Sequence, residues 1–296
     1  MNNCTLIVSK ISEFCRIPPD FSRKIRITFV TFATSVIKRV MSSNKPIILV
    51  TNDDGISAKG IRSLYNAVKD FGEIYVVAPD SPQSGMGHAI TINNPLRISK
   101  LDFFEDSIAF SCSGTPVDCV KLGIYEVMKG KPNLIVSGIN HGANTSTNVL
   151  YSGTMSAAVE GAMESIPSIG FSLCNFDSDA DFSVAQKVVK QIVSKVLESG
   201  MPEGVCLNVN IPDVSMQEFK GIKFCHQAKA FWEDSFDKRF DQFGKPYYWL
   251  TGHFLDQDKT NDTDLYWIDK GYASVVPTQF DMTSYKALKE LENWVL

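Results

Sequence analysis

Ile47 to Val50 is a short run with no polar residue, and further strand-like, mostly apolar runs follow at Ile74–Ala78, Leu134–Val136, Ser168–Phe171 and Val205–Val209. A strand that is apolar along its whole length is covered on both faces, as in a parallel sheet. The intervening stretches have helical spacing. Ile61, Leu64, Tyr65 and Val68 share one face, with Ser57 the expected N-cap, and Val184, Val188, Ile192, Val193 and Val196 share another. Further helices are expected from about Val117 to Met128 and from about Met155 to Ser165. Strands alternating with helices from Ile47 to Val209 predict an α/β fold: a doubly wound, mostly parallel, Rossmann-like sheet with right-handed crossovers. From Lys220 the sequence becomes aromatic and turn-rich, which predicts a C-terminal β-hairpin or extended oligomerisation segment and a short last helix from Ser284.

The first 44 residues stand apart. They carry seven Lys/Arg against Glu13 and Asp20, a balance of +5, and the total of −4 leaves −9 for the rest. Their apolar run, Ile27–Ile37, is too short to span a bilayer, which takes about 20 residues. Met41 precedes a clean first strand, so residues 1–44 are read as an extension with Met41 the true start, and 45–296 as the folded domain. An organellar or membrane-surface segment is the alternative. Seven cysteines without a C-x-x-C pair argue for free thiols in a reducing, cytoplasmic setting rather than a disulfide framework or zinc finger. No overall basic field recruits nucleic acid, and no segment calls for a membrane.

In open α/β sheets ligands bind beyond the carboxyl ends of the strands. The first strand ends at Asp53-Asp54-Gly55, two carboxylates that a loop can present to one cation. A plain capping turn is the competing reading. The second strand is followed by Asp80–His88, a polar glycine-bearing loop whose Gly85-x-Gly87 lacks the third glycine of a dinucleotide fingerprint. After Val136 come Ser137–Asn144, with two asparagines, and Tyr151-Ser152-Gly153-Thr154 opens a helix of small residues. A helix N-terminus with free N–H groups and two hydroxyls suits a phosphate; an ordinary cap is the alternative. Carboxylates, an Asn carbonyl and a Ser hydroxyl are hard donors for Mg²⁺ or Mn²⁺ rather than zinc. His88 and His141 lie in these loops; either can serve as a proton donor, and a solvated loop histidine is the competing reading. There is no G-x-S-x-G elbow and no Walker-type phosphate loop. Gly55 stands where an aspartyl-phosphate phosphatase has its second Asp.

At these positions the chain resembles the SurE family of 5′-nucleotidases. The matching segments are 48–56 (ILVTNDDGI), 84–91 (SGMGHAIT), 114–120 (GTPVDCV), 137–140 (SGIN) and 151–154 (YSGT), with 244–249 (GKPYYW) and 263–265 (TDL) nearer the end. The resemblance implies that Asp53, Asp54, Ser84 and Asn140 hold one divalent metal ion, and that Asn144, Ser152, Gly153 and Thr154 hold phosphate. It implies a homodimer or homotetramer built through the C-terminal segment. One position departs from the pattern: Tyr285 stands where relatives can carry a histidine after an Asp-x-Thr motif, here Asp281-Met282-Thr283. The expected activity is metal-dependent hydrolysis of nucleoside 5′-monophosphates, with Asp53, Asp54 and Asn144 catalytic. An exopolyphosphatase or broad acid phosphatase on the same site is one alternative, and a non-catalytic nucleotide-binding module is another.

Overall fold

The computed structural model describes residues 45–105 and 107–294; the expectations placed on residues 1–44 lie outside the described residues. In chain order the elements are β1 (Ile47–Thr51), α1 (Lys59–Val68), β2 (Glu73–Pro79), β3 (Ile98–Leu101), β4 (Ile108–Cys112), α2 (Pro116–Leu122), β5 (Leu134–His141) and α3 (Gly153–Met163). They continue with β6 (Ser168–Leu173), α4 (Ser183–Ser199), β7 (Val205–Ile211), β8 (Ile222–Phe224), β9 (Ala230–Phe240), β10 (Pro246–Asp256), α5 (Asp264–Asp269), β11 (Ala273–Gln279) and α6 (Tyr285–Leu291). A π-turn at Gly123–Val127 extends α2, and a 3-10 turn at Ser146–Tyr151 leads into α3.

Among the described residues nine strands form one sheet in the order β3-β4-β2-β1-β5-β6-β7-β11-β8. The central run from β4 to β7 is parallel, as the apolar runs require. Alternate residues of one strand serve opposite faces. Ile48 and Val50 pack with Ile61, Leu64 and Val188 of α1 and α4. Leu49 and Ile135 pack with Val120 and Ala157 of α2 and α3. Helices therefore cover both faces, and the fold is the doubly wound one expected. β1 is flanked by β2 on one side and β5 on the other, so the chain reverses its winding direction there. The crevice at the carboxyl end of β1 is the position where such sheets bind ligands.

Three local readings are corrected. The N-cap of α1 is Ala58, not Ser57, and it makes no side-chain cap bond. The first turn is seated instead by Gly60, which lies so close to the Ile139 carbonyl that a Cβ would come within 2.0 Å of it. The strand expected at 134–136 runs on through His141, so Asn140 belongs to β5, with a register shift between Ser137 and Asn140. The segment around Tyr272–Pro277 does not stray from the body: β11 joins the main sheet antiparallel to β7 and parallel to β8. The antiparallel β9–β10 hairpin is a separate two-stranded sheet. No helix among the described residues is long and apolar enough to cross a membrane.

Candidate active site at the mouth of the parallel sheet

The loop after β1 is folded by its own side chains. The buried Asn52 donates its amide to the Gly55 carbonyl (2.9 Å), and Gly55 takes φ +96°, a conformation that a side chain disfavours. Backbone bonds then tie this loop to the one after β2: Ile56 N–H to the Pro79 carbonyl (2.8 Å) and Gln83 N–H to the Asp53 carbonyl (2.8 Å). Ser84, next in line, is exposed.

Asp53 is 5% exposed. The Thr154 hydroxyl donates to its Oδ1 in a short hydrogen bond. Gly153 lets the N-terminus of α3 close on it, because a Cβ there would stand 2.6 Å from the Asp53 Cβ. Burial pushes the Asp53 carboxyl up to about 6, the Thr154 bond pulls the other way, and the Asp54 charge adds to the rise. Asp54 is less buried. Its Oδ2 accepts the His141 N–H (3.4 Å), and burial again holds its carboxyl above the usual range. No Lys or Arg among the described residues forms an ion pair with either carboxylate.

Asn140 donates its amide to the Gly142 carbonyl (2.8 Å) and the His141 carbonyl (3.3 Å), which leaves its Oδ1 as the free acceptor. Asn52 Oδ1 and His141 Nδ1 are buried and have no hydrogen-bond partner among the described residues. The residues present fit a hard divalent cation. Two carboxylates lack counter-charge, and the nearby uncommitted atoms include amide and hydroxyl oxygens. No group of three His, Cys, Asp or Glu that could hold a metal occurs among the described residues, so a donor set for such a cation would draw on neutral oxygens.

Asn144 lies toward the β6–β7 side. Its N–H donates to Asn210 Oδ1 (2.7 Å), its amide to the Ser172 hydroxyl (2.8 Å), and its carbonyl accepts from Asn208 (2.8 Å). Ser152 caps α3 by accepting the Met155 N–H (3.1 Å), and Thr154 is fully buried with its hydroxyl on Asp53. Asp53, Gly153 and Thr154 are thus in direct contact, Asp54 is bonded to the His141 N–H next to Asn140 at the end of β5, and Asn144 is held by a separate amide network.

Two features went unread in the sequence. Asn208 and Asn210 alternate along the buried strand β7, an unusual pattern that was visible as L-N-V-N-I. Glu160 is the one acid on the small-residue helix α3 and is almost fully buried. It bonds His88 Nε2 (3.0 Å) and, more closely, Lys121 Nζ. Burial would raise its carboxyl, but these two partners hold it below the usual range. The 84–88 loop is therefore pinned to α3 through His88, and through Gly87 N–H to the Tyr151 carbonyl (3.2 Å). Tyr285 donates its hydroxyl to Asp281 at the start of α6.

Comparison with known proteins bears on the family and the fold. The family model described as Survival protein SurE matches residues 48–234. A protein of Flavobacterium psychrophilum named 5′-nucleotidase SurE is 57% identical over 254 residues, 86% of this chain and 99% of its own. One of Phocaeicola vulgatus with the same name is 44% identical, covering 86% of this chain and 99% of its own. The crystal structure of the SurE protein from Aquifex aeolicus superposes with a TM-score of 0.73 at 41% identity, covering 83% of this chain and 98% of that one. The family match, the identity to these relatives and the shared fold show that the chain belongs to the SurE family.

Proposed function

We propose that the chain is a metal-dependent 5′-nucleotidase that hydrolyses nucleoside 5′-monophosphates to nucleoside and phosphate. One observation carries the reading: of the adjacent carboxylates, Asp53 lies beneath the N-terminus of α3 and Asp54 accepts the His141 N–H, and no Lys or Arg among the described residues forms an ion pair with either. Such a pair repels a phosphate unless a cation intervenes. The names of the relatives point to the same reaction.

Asp53, Asp54, Ser84 and Asn140 are the proposed ligands of one Mg²⁺ or Mn²⁺ ion. When bound, the ion supplies Lewis-acid charge at the phosphoryl group. Asn144 and the Ser152–Thr154 turn hold the non-bridging oxygens as charge develops on them. Water attacks phosphorus as the bond to the nucleoside oxygen breaks; Asp53 or Asp54 takes the proton released by the water, and the leaving oxygen takes up a proton to depart as the nucleoside hydroxyl. The Glu160–His88 pair holds the Ser84 loop against α3, so Ser84 keeps its place at the rim. Pairing through the β9–β10 hairpin into a homodimer or homotetramer belongs to this reading. Its support is the exposure of Phe236, Trp249 and Leu250. A reducing cytoplasmic setting also belongs to it, supported by the free Cys112, Cys119, Cys174, Cys206 and Cys225.

The test is phosphate release from AMP or GMP by chelated, then remetallated, protein. Activity that vanishes in EDTA and returns with Mn²⁺ or Mg²⁺ is expected. Full activity in EDTA ends the reading.

A further inference from the structure

Asp264 takes no part in the chemistry above, yet its carboxylate is fully buried. Oδ2 accepts the Ser146 N–H (2.8 Å), and Oδ1 accepts the N–H groups of Ala228 (3.0 Å) and Leu265 (2.9 Å). Burial raises this carboxyl, against the pull of those three N–H groups. Only the Leu265 bond is local. The other two reach 118 and 36 residues along the chain. The carboxylate therefore does more than start the short helix α5: it joins two distant segments that have no strand pairing with each other.

Those segments are informative. Ser146 opens the turn between Asn144 and Ser152, and Ala228 lies at the root of the β9–β10 hairpin. Ser146 is buried at φ +53°, a conformation that a residue with a side chain adopts only when it is held there. Its hydroxyl lies 2.8 Å from the Ala228 carbonyl and 2.6 Å from the Ala230 carbonyl, and it accepts the Ala230 N–H (3.0 Å). Toward the surface the same junction continues. Thr147 donates to the Ala230 carbonyl (3.0 Å), and the Trp232 indole donates to Asn148 (2.9 Å).

We infer that Asp264 is a positioning residue: it locks Ser146, and with it the phosphate-holding segment from Asn144 to Thr154, onto the root of the β9–β10 hairpin. The inference rests on the proposed role of that segment in holding phosphate. It makes the hairpin part of the structure that shapes the site, so whatever seats or unseats the hairpin also sets phosphate affinity.

The test uses the full chain carrying Asp264→Asn, which keeps the shape but places an amide among N–H donors. Hydrogen exchange is read by mass spectrometry alongside steady-state hydrolysis of AMP and inhibition by inorganic phosphate. Loosening a substrate-holding segment away from the reacting atoms should raise KM and the phosphate inhibition constant together, by about 10-fold, with kcat falling much less. Exchange should rise at 144–152 and 228–232 and stay as in the unaltered chain in β1, β5 and β6. Exchange rising evenly across those core strands, or KM and exchange both unchanged, overturns the inference. If Asp264→Asn fails to fold, Asn148→Ala cuts only the outer bond of the junction. It should show the same pattern at about two- to threefold, the size of one lost hydrogen bond. No change in either readout for Asn148→Ala overturns the inference equally. Loss of the nucleotidase reading is separately visible, because the unaltered chain would then release no phosphate from AMP while the exchange comparison still reports on the junction.

Discussion

The mouth of the parallel sheet and the β9–β10 hairpin treat their side chains in opposite ways. At the mouth, charged and polar groups are taken out of water: Asp53, Thr154, Asn144 and Ser152 are all buried. On the hairpin, large apolar groups are left in it: Phe236, Phe240, Tyr248, Trp249 and Leu250 are all exposed. Both arrangements are unfavourable for an isolated chain. Buried carboxylates lack counter-charge, and exposed aromatics lack a covering surface. The contrast fits the proposal that each region is completed by something else: a small hard cation at the mouth and an apolar protein surface at the hairpin.

The strongest way to break this comparison is to remove charge at the mouth. Asp53→Asn should lower kcat by about 10²-fold or more, as expected for lost transition-state charge stabilisation. Asp54→Asn should cost less, because Asp54 is the less buried of the two. Wild-type rates of AMP hydrolysis in both variants would remove the mouth from the reaction.

A pH series sharpens the same side. In EDTA the folded-state value of about 6 for Asp53 lies above its unfolded value, so this group's relative stabilisation is full below the unfolded value and is lost as pH rises through 6. Metal-stripped Asp53→Asn should therefore be more stable than the unaltered protein at pH 7, by roughly 2–3 kcal/mol, with the gap closing near pH 4. Denaturant melts at both pH values measure it, and a gap that is constant with pH would refute the assignment to Asp53.

Gly153→Ala tests the packing that buries the pair. The new Cβ would meet Asp53 at 2.6 Å, so α3 must withdraw. Overpacking of this kind costs about 1–3 kcal/mol, and kcat/KM should fall with it. Unchanged melting and kinetics would show that the contact is dispensable.

On the hairpin side, Phe236→Ser with Trp249→Ser should lower the assembly mass seen by light scattering while stability per chain moves within about 0.5 kcal/mol, as for surface changes. A monomer at micromolar concentration before any substitution would remove the hairpin's proposed partner. The smallest effect is expected from deleting residues 1–40: a chain starting at Met41 should keep its fold and kcat, and a large loss of either would refute the reading of that stretch as an extension.

Much of this was legible in the residues. The apolar runs at Ile47–Val50 and Leu134–Val136 predicted parallel strands because burial on both faces leaves no room for alternation. Asp53-Asp54-Gly55 was legible because a loop of that composition falls at a strand's carboxyl end. The edge strand Ile98–Leu101 was not, since its residues are largely exposed and carry no periodic signal. β11 was missed because its neighbours, β7 and β8, are chosen by the sheet and not by the strand's own pattern. The carry-over of Thr154 as a phosphate group meets a hydroxyl already bonded to Asp53, a contact across 101 residues that no local pattern encodes.

The sequence by itself determined the parallel α/β architecture, the acid pair at the first strand's mouth and the aromatic hairpin, because each depends on short-range periodicity or on adjacent residues. Only the tertiary structure decided which carboxylate is buried, that Gly153 makes room for it, that Glu160 anchors His88, and that Asp264 binds the Ser146 turn to the hairpin root. Those facts rest on close approaches between segments far apart in the chain. Such distances are set by how whole elements pack, and a local pattern of residues does not contain them.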